Sequence, residues 1–118
     1  IGSYGRDRLK VCKERGILTL MITSFKKHLV SSALPYGNGP LHFGHIAGVY
    51  LPADIYARHR KLQGHKVLHI SGSDEHGVAI MQNAQKKKVA YKEYVDGWHK
   101  NHQELFDSYG IEFDFFGQ

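Results

Sequence analysis

The fold is decided by one continuous stretch, which reads HLVSSA over 28–33, LPYGNGP over 34–40 and LHFGHIAGVY over 41–50. The first segment is rich in β-branched and small residues and predicts a buried strand. Two glycines and two prolines make the second segment a loop. From Leu41, apolar residues recur at helical spacing until Gln63 and Gly64, which predicts a helix that ends at the glycine. Strand, loop and helix in this order open a βαβ unit.

The same order of elements recurs further along the chain. A strand is predicted over 67–71, a turn over 72–77 and a helix over 78–88. A third helix is expected over 91–109, ended by Gly110, and a strand-like segment follows over 111–116. Pro52 lies inside the first helical pattern and predicts a kink or break there, eased by Gly48.

These elements predict the α/β fold class, as the amino-terminal half of a Rossmann-like doubly wound parallel sheet that is truncated after about three strands. Parallel strands point their carboxyl ends to one edge, so the turns 37–40 and 72–77 should border one crevice. The sheet would keep an open edge, through which the chain is expected to self-associate.

Composition restricts the function without defining it. The net charge of +5 at pH 7 fits a polyanionic partner such as a nucleotide or RNA. The single cysteine, Cys12, excludes an intrachain disulfide and a thiolate zinc cage, which favours a reducing, cytoplasmic location and no bound metal. The apolar run over 17–22 is too short to span a membrane.

Residues 1–20 contain five basic side chains among few apolar positions and show no sustained period. We expect a poorly ordered amino-terminal extension, with Met21 as a candidate natural start and the domain over 21–118. An organellar presequence is the alternative interpretation, although Asp7 and Glu14 are unusual in such segments.

The first turn carries the most specific pattern. His42 and His45 are three residues apart at the opening of a helix, so both imidazoles project from one face beside unpaired backbone N–H groups. Such a helix end attracts anions, and two added donors can hold phosphate oxygens. Gly44 would let a flat nucleobase approach the backbone. Surface or capping histidines, and ordinary turn geometry for the glycines, are the alternatives.

The second turn places a carboxylate at the same edge. Asp74 follows the second strand, where it could pair with an ammonium group, and an amino-terminal helix cap is its alternative role. Glu75 is expected to serve that cap or to point to solvent. For His76, the pattern leaves open whether it lines the pocket or packs beneath it.

The segment His42-Phe43-Gly44-His45 resembles the H-I-G-H signature of class I aminoacyl-tRNA synthetases. Further stretches are similar to the methionyl-tRNA synthetases within that class, so that the resemblance covers about residues 22–117; they lie at 33–39, 53–58, 72–77 and 105–114. The resemblance implies that 21–118 is the amino-terminal part of a nucleotide- and methionine-binding catalytic domain. Such a domain activates methionine with ATP, accompanied by Mg²⁺, and transfers it to tRNA(Met).

The resemblance also implies a role for each site residue. His42 and His45 would be the catalytic donors to phosphate oxygens, and Asn38, Gly39 and Gly44 would help to seat ATP. Three further residues would bind methionine: Leu34 and Tyr36 around the thioether side chain and Asp74 at the amino group.

No stretch of this chain resembles the K-M-S-K-S loop, the zinc-binding insertion or the anticodon-binding domain of that family. We therefore expect the chain alone to be inactive and to bind no zinc. Three alternatives stay open: another class I synthetase, specific for leucine, isoleucine, valine or cysteine; a non-catalytic nucleotide- or RNA-binding module of the same fold; and a cytidylyltransferase, which shares an H-x-G-H pair.

Overall fold

The computed structural model describes the backbone of residues 9–14 and 17–22, and both backbone and side chains over 26–118. Strands β1 (Leu9–Glu14) and β2 (Ile17–Ile22) form an antiparallel pair in which Leu9 lies opposite Ile22. Cross-strand pairing stabilises these two segments, which are too short to show a period in the sequence, and a poorly ordered extension over 1–20 stays a prediction. The expected boundary at Met21 falls inside β2, and a catalytic domain over 21–118 stays a prediction.

Within 26–118, three strands form one parallel sheet, as expected. They are β3 (Lys27–Ser31), β4 (Lys66–Gly72) and β5 (Phe115–Gly117), in the order β3-β4-β5. The register sets Leu29 beside Leu68 and Ile70 beside Phe115. The strand predicted over 111–116 is shorter than expected, because the backbone before Phe115 bonds elsewhere: Glu112 N–H donates to the Asp54 carboxylate.

The first predicted helix is one continuous helical segment with an irregular turn. It consists of α1 (Phe43–His45), a π-helical turn (Ile46–Tyr50) and α2 (Leu51–Leu62). Leu51 N–H donates to Ile46 O, five residues back. The kink or break expected at Pro52 is replaced by this wider turn immediately before the proline, and the helix continues through Pro52.

Two further helices follow β4, namely α3 (Val78–Lys87) and α4 (Tyr91–Ser108). Ile46, Tyr50, Phe106 and Ile111 form one buried cluster, while Ile80, Ala84, Tyr94 and Val95 form a second between α3 and α4. The α/β class with parallel strands is therefore confirmed. In the described part of the chain, no helix is both long and apolar enough to cross a membrane.

Buried polar side chains connect the segment before β5 to the sheet and to α2. His69 is fully buried; its Nδ1–H donates to Glu112 O at 2.9 Å, so its Nε2 accepts from Ser32 Oγ at 3.0 Å. Asp54, also buried, accepts from the Arg58 guanidinium at 2.6 Å. That carboxylate raises the pKa of Arg58 above its ordinary value. These bonds fix the segment before β5 against α2 and β4.

Candidate functional site

The two turns lie side by side, as the parallel topology predicts. Gly37 N–H donates to Asp74 O and Asp74 N–H donates to Pro35 O, both at 2.8 Å. Tyr36 and Asp74 thereby form a parallel bridge beyond the ends of β3 and β4. The backbone pairing brings the turn that precedes the histidines next to the turn that carries the carboxylate.

A cleft of about 250 Å³ opens beside the first turn. Its lining consists of Tyr36, Asn38, Gly39, Pro40, Leu41 and His45. Four of the predicted site residues therefore share one cavity, whereas Leu34, His42, Gly44 and Asp74 lie outside its lining. Two larger depressions, of about 380 and 340 Å³, lie along α4 and contain none of the predicted site residues. The smaller cleft is therefore the candidate site because of the residues that line it and not because of its size.

His42 and His45 form a reciprocal cap at the start of α1. Gly44 N–H donates to His42 Nδ1, and His42 N–H donates to His45 Nδ1, both at 3.1 Å. Backbone N–H groups can only donate, so both Nδ1 atoms are acceptors and each ring carries its proton on Nε2. The ring centroids lie 3.8 Å apart. The cap therefore leaves each ring with one Nε2–H donor that the capping bonds do not use.

The predicted capping role of the histidines is thus real, but it does not compete with ligand binding. The capping bonds use the Nδ1 atom of each ring, while a ligand would accept a hydrogen bond from Nε2–H. Gly44 has a specific part in this arrangement, since a Cβ there would lie 3.0 Å from Cε1 and 3.1 Å from Nδ1 of His42. Glycine lets the His42 ring fold back over the helix start.

Asp74 does not cap the following helix, so that alternative is wrong. The residue before α3 is Gly77, and no side chain caps α3. The Asp74 side chain is exposed, and its only described hydrogen bond is a long one of 3.4 Å from His76 N–H. The carboxylate is accordingly accessible to a cation. His76 is exposed as well.

Close steric contacts define the two ends of the second turn. At Gly72, a Cβ would lie 2.9 Å from Gly117 O. Gly77 has a φ of +146°, and a Cβ on it would lie 2.5 Å from the hydroxyl oxygen of Tyr36. Tyr36 is 40% exposed and reaches across the second turn from the first. Sequence reasoning missed this role of Gly77, which only the contact with Tyr36 reveals.

Side chains from α3 and α4 hold the first turn in place. Asn83 Nδ2 donates to Asn38 Oδ1 at 3.0 Å, and Tyr94 OH donates to the same oxygen at 3.2 Å. His102 Nε2–H donates to Gly39 O at 2.9 Å. No function was predicted from the sequence for these three supporting residues. A signal existed for His102, because it is a polar residue within the apolar stripe of α4.

His102 is held in its neutral form by its surroundings. Burial lowers its pKa below the ordinary 6.5, opposed by the bond to Gly39 O and aided by the nearby His99 and His45. Its Nδ1 is buried without a hydrogen-bond partner. A second proton on this ring would be a buried and unpaired donor, which is costly.

Over the described residues, no three His, Cys, Asp or Glu side chains lie close enough together to hold a metal ion. The residues that line the cleft with polar side chains are Tyr36, Asn38 and His45. Such a donor set suits an anionic ligand, and the neighbouring Asp74 carboxylate suits a cationic one.

Comparison with known proteins identifies the family of this chain. The model of one protein family, described as "tRNA synthetases class I (M)", matches residues 28–118. The matched segment contains both turns, the histidine pair and α4. The chain belongs to this family of class I tRNA synthetases.

Individual relatives are named for methionine. A methionine–tRNA ligase of Chlamydia abortus is 60% identical over 90 residues, which cover 76% of this chain and 16% of the relative. One from Chlamydia pneumoniae is 59% identical over 93 residues, covering 79% and 17%. The methionyl-tRNA synthetase of Mycobacterium tuberculosis in complex with methionyl-adenylate matches with a TM-score of 0.74 at 29% identity, covering 78% of this chain and 18% of that one. The chain thus spans only about a sixth of the relatives' length.

Proposed function

We propose that this chain contributes one half of the active site of a methionine–tRNA ligase, the half that binds ATP and the amino group of methionine. The complete gene product would activate methionine to methionyl-adenylate and transfer it to tRNA(Met). The observation that carries the proposal is the reciprocal histidine cap, which leaves two Nε2–H donors beside the cleft.

The nucleotide would lie along the first turn and the start of α1. His42 and His45 would donate from Nε2 to phosphate oxygens, and their rings, 3.8 Å apart, would present both donors to one phosphate chain. Asn38 and Gly39 would seat ATP at the cleft, and Gly44 would lie under the adenine. Donors that are already oriented stabilise developing negative charge without reorganising during the reaction.

Methionine would lie between the two turns. Its ammonium group would pair with the exposed carboxylate of Asp74. The backbone of Asp74 is hydrogen-bonded to the loop that contains the first turn. The Tyr36 ring and Leu34 would contact the thioether side chain, a contact that sulfur makes favourably with aromatic rings. This placement would aim the methionine carboxylate at the nucleotide.

The activation step is a displacement at phosphorus. A methionine carboxylate oxygen forms a bond to the α-phosphorus of ATP, the bond to the bridging oxygen of the β-phosphate breaks, and pyrophosphate leaves with the electron pair. The histidines would form no covalent bond and would act through position and charge alone. We expect Mg²⁺ to arrive bound to the ATP phosphates.

Exchange of labelled pyrophosphate into ATP tests the proposal directly. The complete gene product should catalyse exchange with methionine and only background exchange with leucine, isoleucine, valine or cysteine. The 118-residue chain alone should give no exchange, since nothing in it resembles the K-M-S-K-S loop. Nucleotide binding without methionine-dependent exchange by the complete gene product would instead support a non-catalytic module.

The isolated chain should also self-associate. One face of the parallel sheet carries Leu29, Leu68 and Phe115, which are 67%, 49% and 64% exposed, and among the described residues β3 and β5 form the edges of this sheet. Exposed apolar strands at a free edge favour pairing with other chains. Sedimentation velocity across a concentration series should show species larger than a monomer, and a single monomer at all concentrations would contradict this expectation.

A further inference from the structure

Helix α4 reaches the second turn through His99. Its Nδ1 lies 2.7 Å from Ser73 Oγ and 3.9 Å from Glu75 Oε1. Both side chains are largely buried, at 11% exposed for His99 and 15% for Glu75. The sequence-based expectation that Glu75 caps a helix or points to solvent is therefore wrong, because its carboxylate turns inward toward α4.

Helix α4 holds the residues on both sides of Asp74, through His99 on one side and Tyr91 on the other. Ser73 precedes Asp74 and Glu75 follows it, and the Tyr91 hydroxyl, also on α4, donates to Glu75 O. The His99 ring itself rests against the Phe116 ring, with centroids 5.0 Å apart. The Asp74 carboxylate itself accepts only the long bond from His76 N–H among the described residues. Its position therefore depends on Ser73 and Glu75, which α4 holds.

His102 performs the corresponding task for the first turn, through its bond to Gly39 O. The two histidines are three residues apart and hence lie on the same side of α4. They use different ring nitrogens: His99 bonds through Nδ1 and His102 through Nε2.

We propose that His99 and His102 are a pair of positioning residues. His99 fixes the position of the second turn, which carries Asp74, and His102 fixes the position of the first turn, which seats the nucleotide. The inference rests on the proposed function of the site. Neither residue would touch substrate, and each would act through the turn that it holds. One rigid helix would then keep the two ligand-binding turns in register.

The different ring nitrogens allow a crossed substitution test. An asparagine amide occupies roughly the position of Nδ1, whereas a glutamine amide reaches roughly the position of Nε2. His99→Asn and His102→Gln should therefore keep the bond, while His99→Gln and His102→Asn should lose it. The four variants of the complete gene product are compared by the KM values for methionine and ATP in pyrophosphate exchange.

The expected result is selective and crossed. His99→Gln should raise the KM for methionine about tenfold and leave the KM for ATP within about twofold, as loss of one hydrogen bond would do. His102→Asn should raise the KM for ATP about tenfold and leave that for methionine within about twofold. The conservative variants, His99→Asn and His102→Gln, should stay within about threefold of the wild type for both substrates.

Three outcomes would overturn the inference: equal effects on both KM values, equal effects of Asn and Gln at one position, or changes in melting temperature alone. Ser73→Ala removes the His99 bond from the other side and should reproduce the selective rise in the KM for methionine, even if His99→Gln does not fold. A wild-type protein without methionine-dependent exchange would refute the proposed function, whereas an active wild type with unselective variants would refute only the pairing of His99 and His102.

Discussion

The first turn, over 37–40, and the second turn, over 72–77, lie side by side but differ in how much space surrounds them. Directed hydrogen bonds hold both turns: Asn83, Tyr94 and His102 bond to the first, and His99 bonds to the second through Ser73. Steric fit also limits the second at Gly72 and Gly77, where any Cβ would collide with Gly117 O or with the Tyr36 hydroxyl. Both turns should therefore respond to the loss of a hydrogen bond, and the second should respond to changes of volume as well.

The largest expected effect comes from removing one ligand-facing donor beside the first turn. His45→Asn keeps an acceptor near the Nδ1 position for the His42 N–H but loses the Nε2–H donor. The rate of pyrophosphate exchange should fall about 100- to 1,000-fold, as when one donor to a developing anion is deleted, and the melting temperature should stay close to that of the wild type.

Two variants control for this result. His45→Gln places an amide near Nε2 and should retain more activity than His45→Asn. His59→Asn, on the exposed side of α2, should be neutral. Equal activity of His45→Asn and the wild type would show that the Nε2–H group of His45 does not face a ligand.

A volume change should disturb the second turn by the next largest amount. Gly77→Ala adds a methyl group 2.5 Å from the Tyr36 hydroxyl at a φ of +146°, so the free energy of unfolding should fall by about 3 kcal/mol in denaturant titrations. Adding Tyr36→Phe should recover part of this loss, because the ring carbon beneath the hydroxyl would be 3.5 Å away.

Gly97→Ala is the matched control, since a Cβ there meets nothing within 4 Å. Alanine in the interior of α4 should raise the free energy of unfolding by about 0.5–1 kcal/mol. If Gly77→Ala were as harmless as Gly97→Ala, steric fit would not govern the second turn.

Loss of one hydrogen bond from α3 should have a smaller effect and should act on the first turn alone. Asn83→Ala deletes the 3.0 Å bond to Asn38 Oδ1, so the KM for ATP should rise about fivefold while that for methionine stays constant. Gln82→Ala, at an exposed neighbouring position, should change neither value. A rise in the KM for methionine alone would reverse the proposed division of the site.

The smallest expected effect is the contribution of His102 to the pH dependence of stability. The pKa of His102 in the fold lies below its ordinary 6.5 because the ring is buried, so between these two values the unfolded chain binds the extra proton and the folded chain does not. The free energy of unfolding should therefore decrease as pH falls below 6.5. Below the pKa of His102 in the folded state, both states bind the proton and the stability that the neutral ring provided is fully lost. Melting temperatures between pH 7.5 and about 5 should fall less for His102→Gln than for the wild type.

The sequence predicted the elements that chain-local rules govern. The period change at Leu41, the glycine and proline residues between strand and helix, and the parallel topology were enough to bring Tyr36 and Asp74 together. The contacts of His99, His102 and Asn83 could not be predicted in this way. A helical period shows which face a residue occupies, but the partner on that face comes from a turn more than 25 residues away.

Two other differences between prediction and structure have identifiable physical causes. Asp74 was a good candidate for a helix cap by residue type, but α3 begins three residues later than such a cap requires, after Gly77. The strand expected over 111–116 begins only at Phe115, because buried Asp54 takes the Glu112 N–H that a longer ladder would use. Tertiary hydrogen bonds outweighed local propensity at this place.

The π-helical turn at Ile46–Tyr50 separates the histidine pair from the residues that anchor α2. A helix advances about 100° per residue, and a π-turn holds one residue more than a regular turn. Deleting one residue from this turn would rotate the imidazoles by roughly that angle relative to Asp54 and Arg58, even though every remaining side chain would be unchanged. The direction in which the two Nε2–H groups point is thus set partly by residue count, a property that substitution experiments alone do not probe.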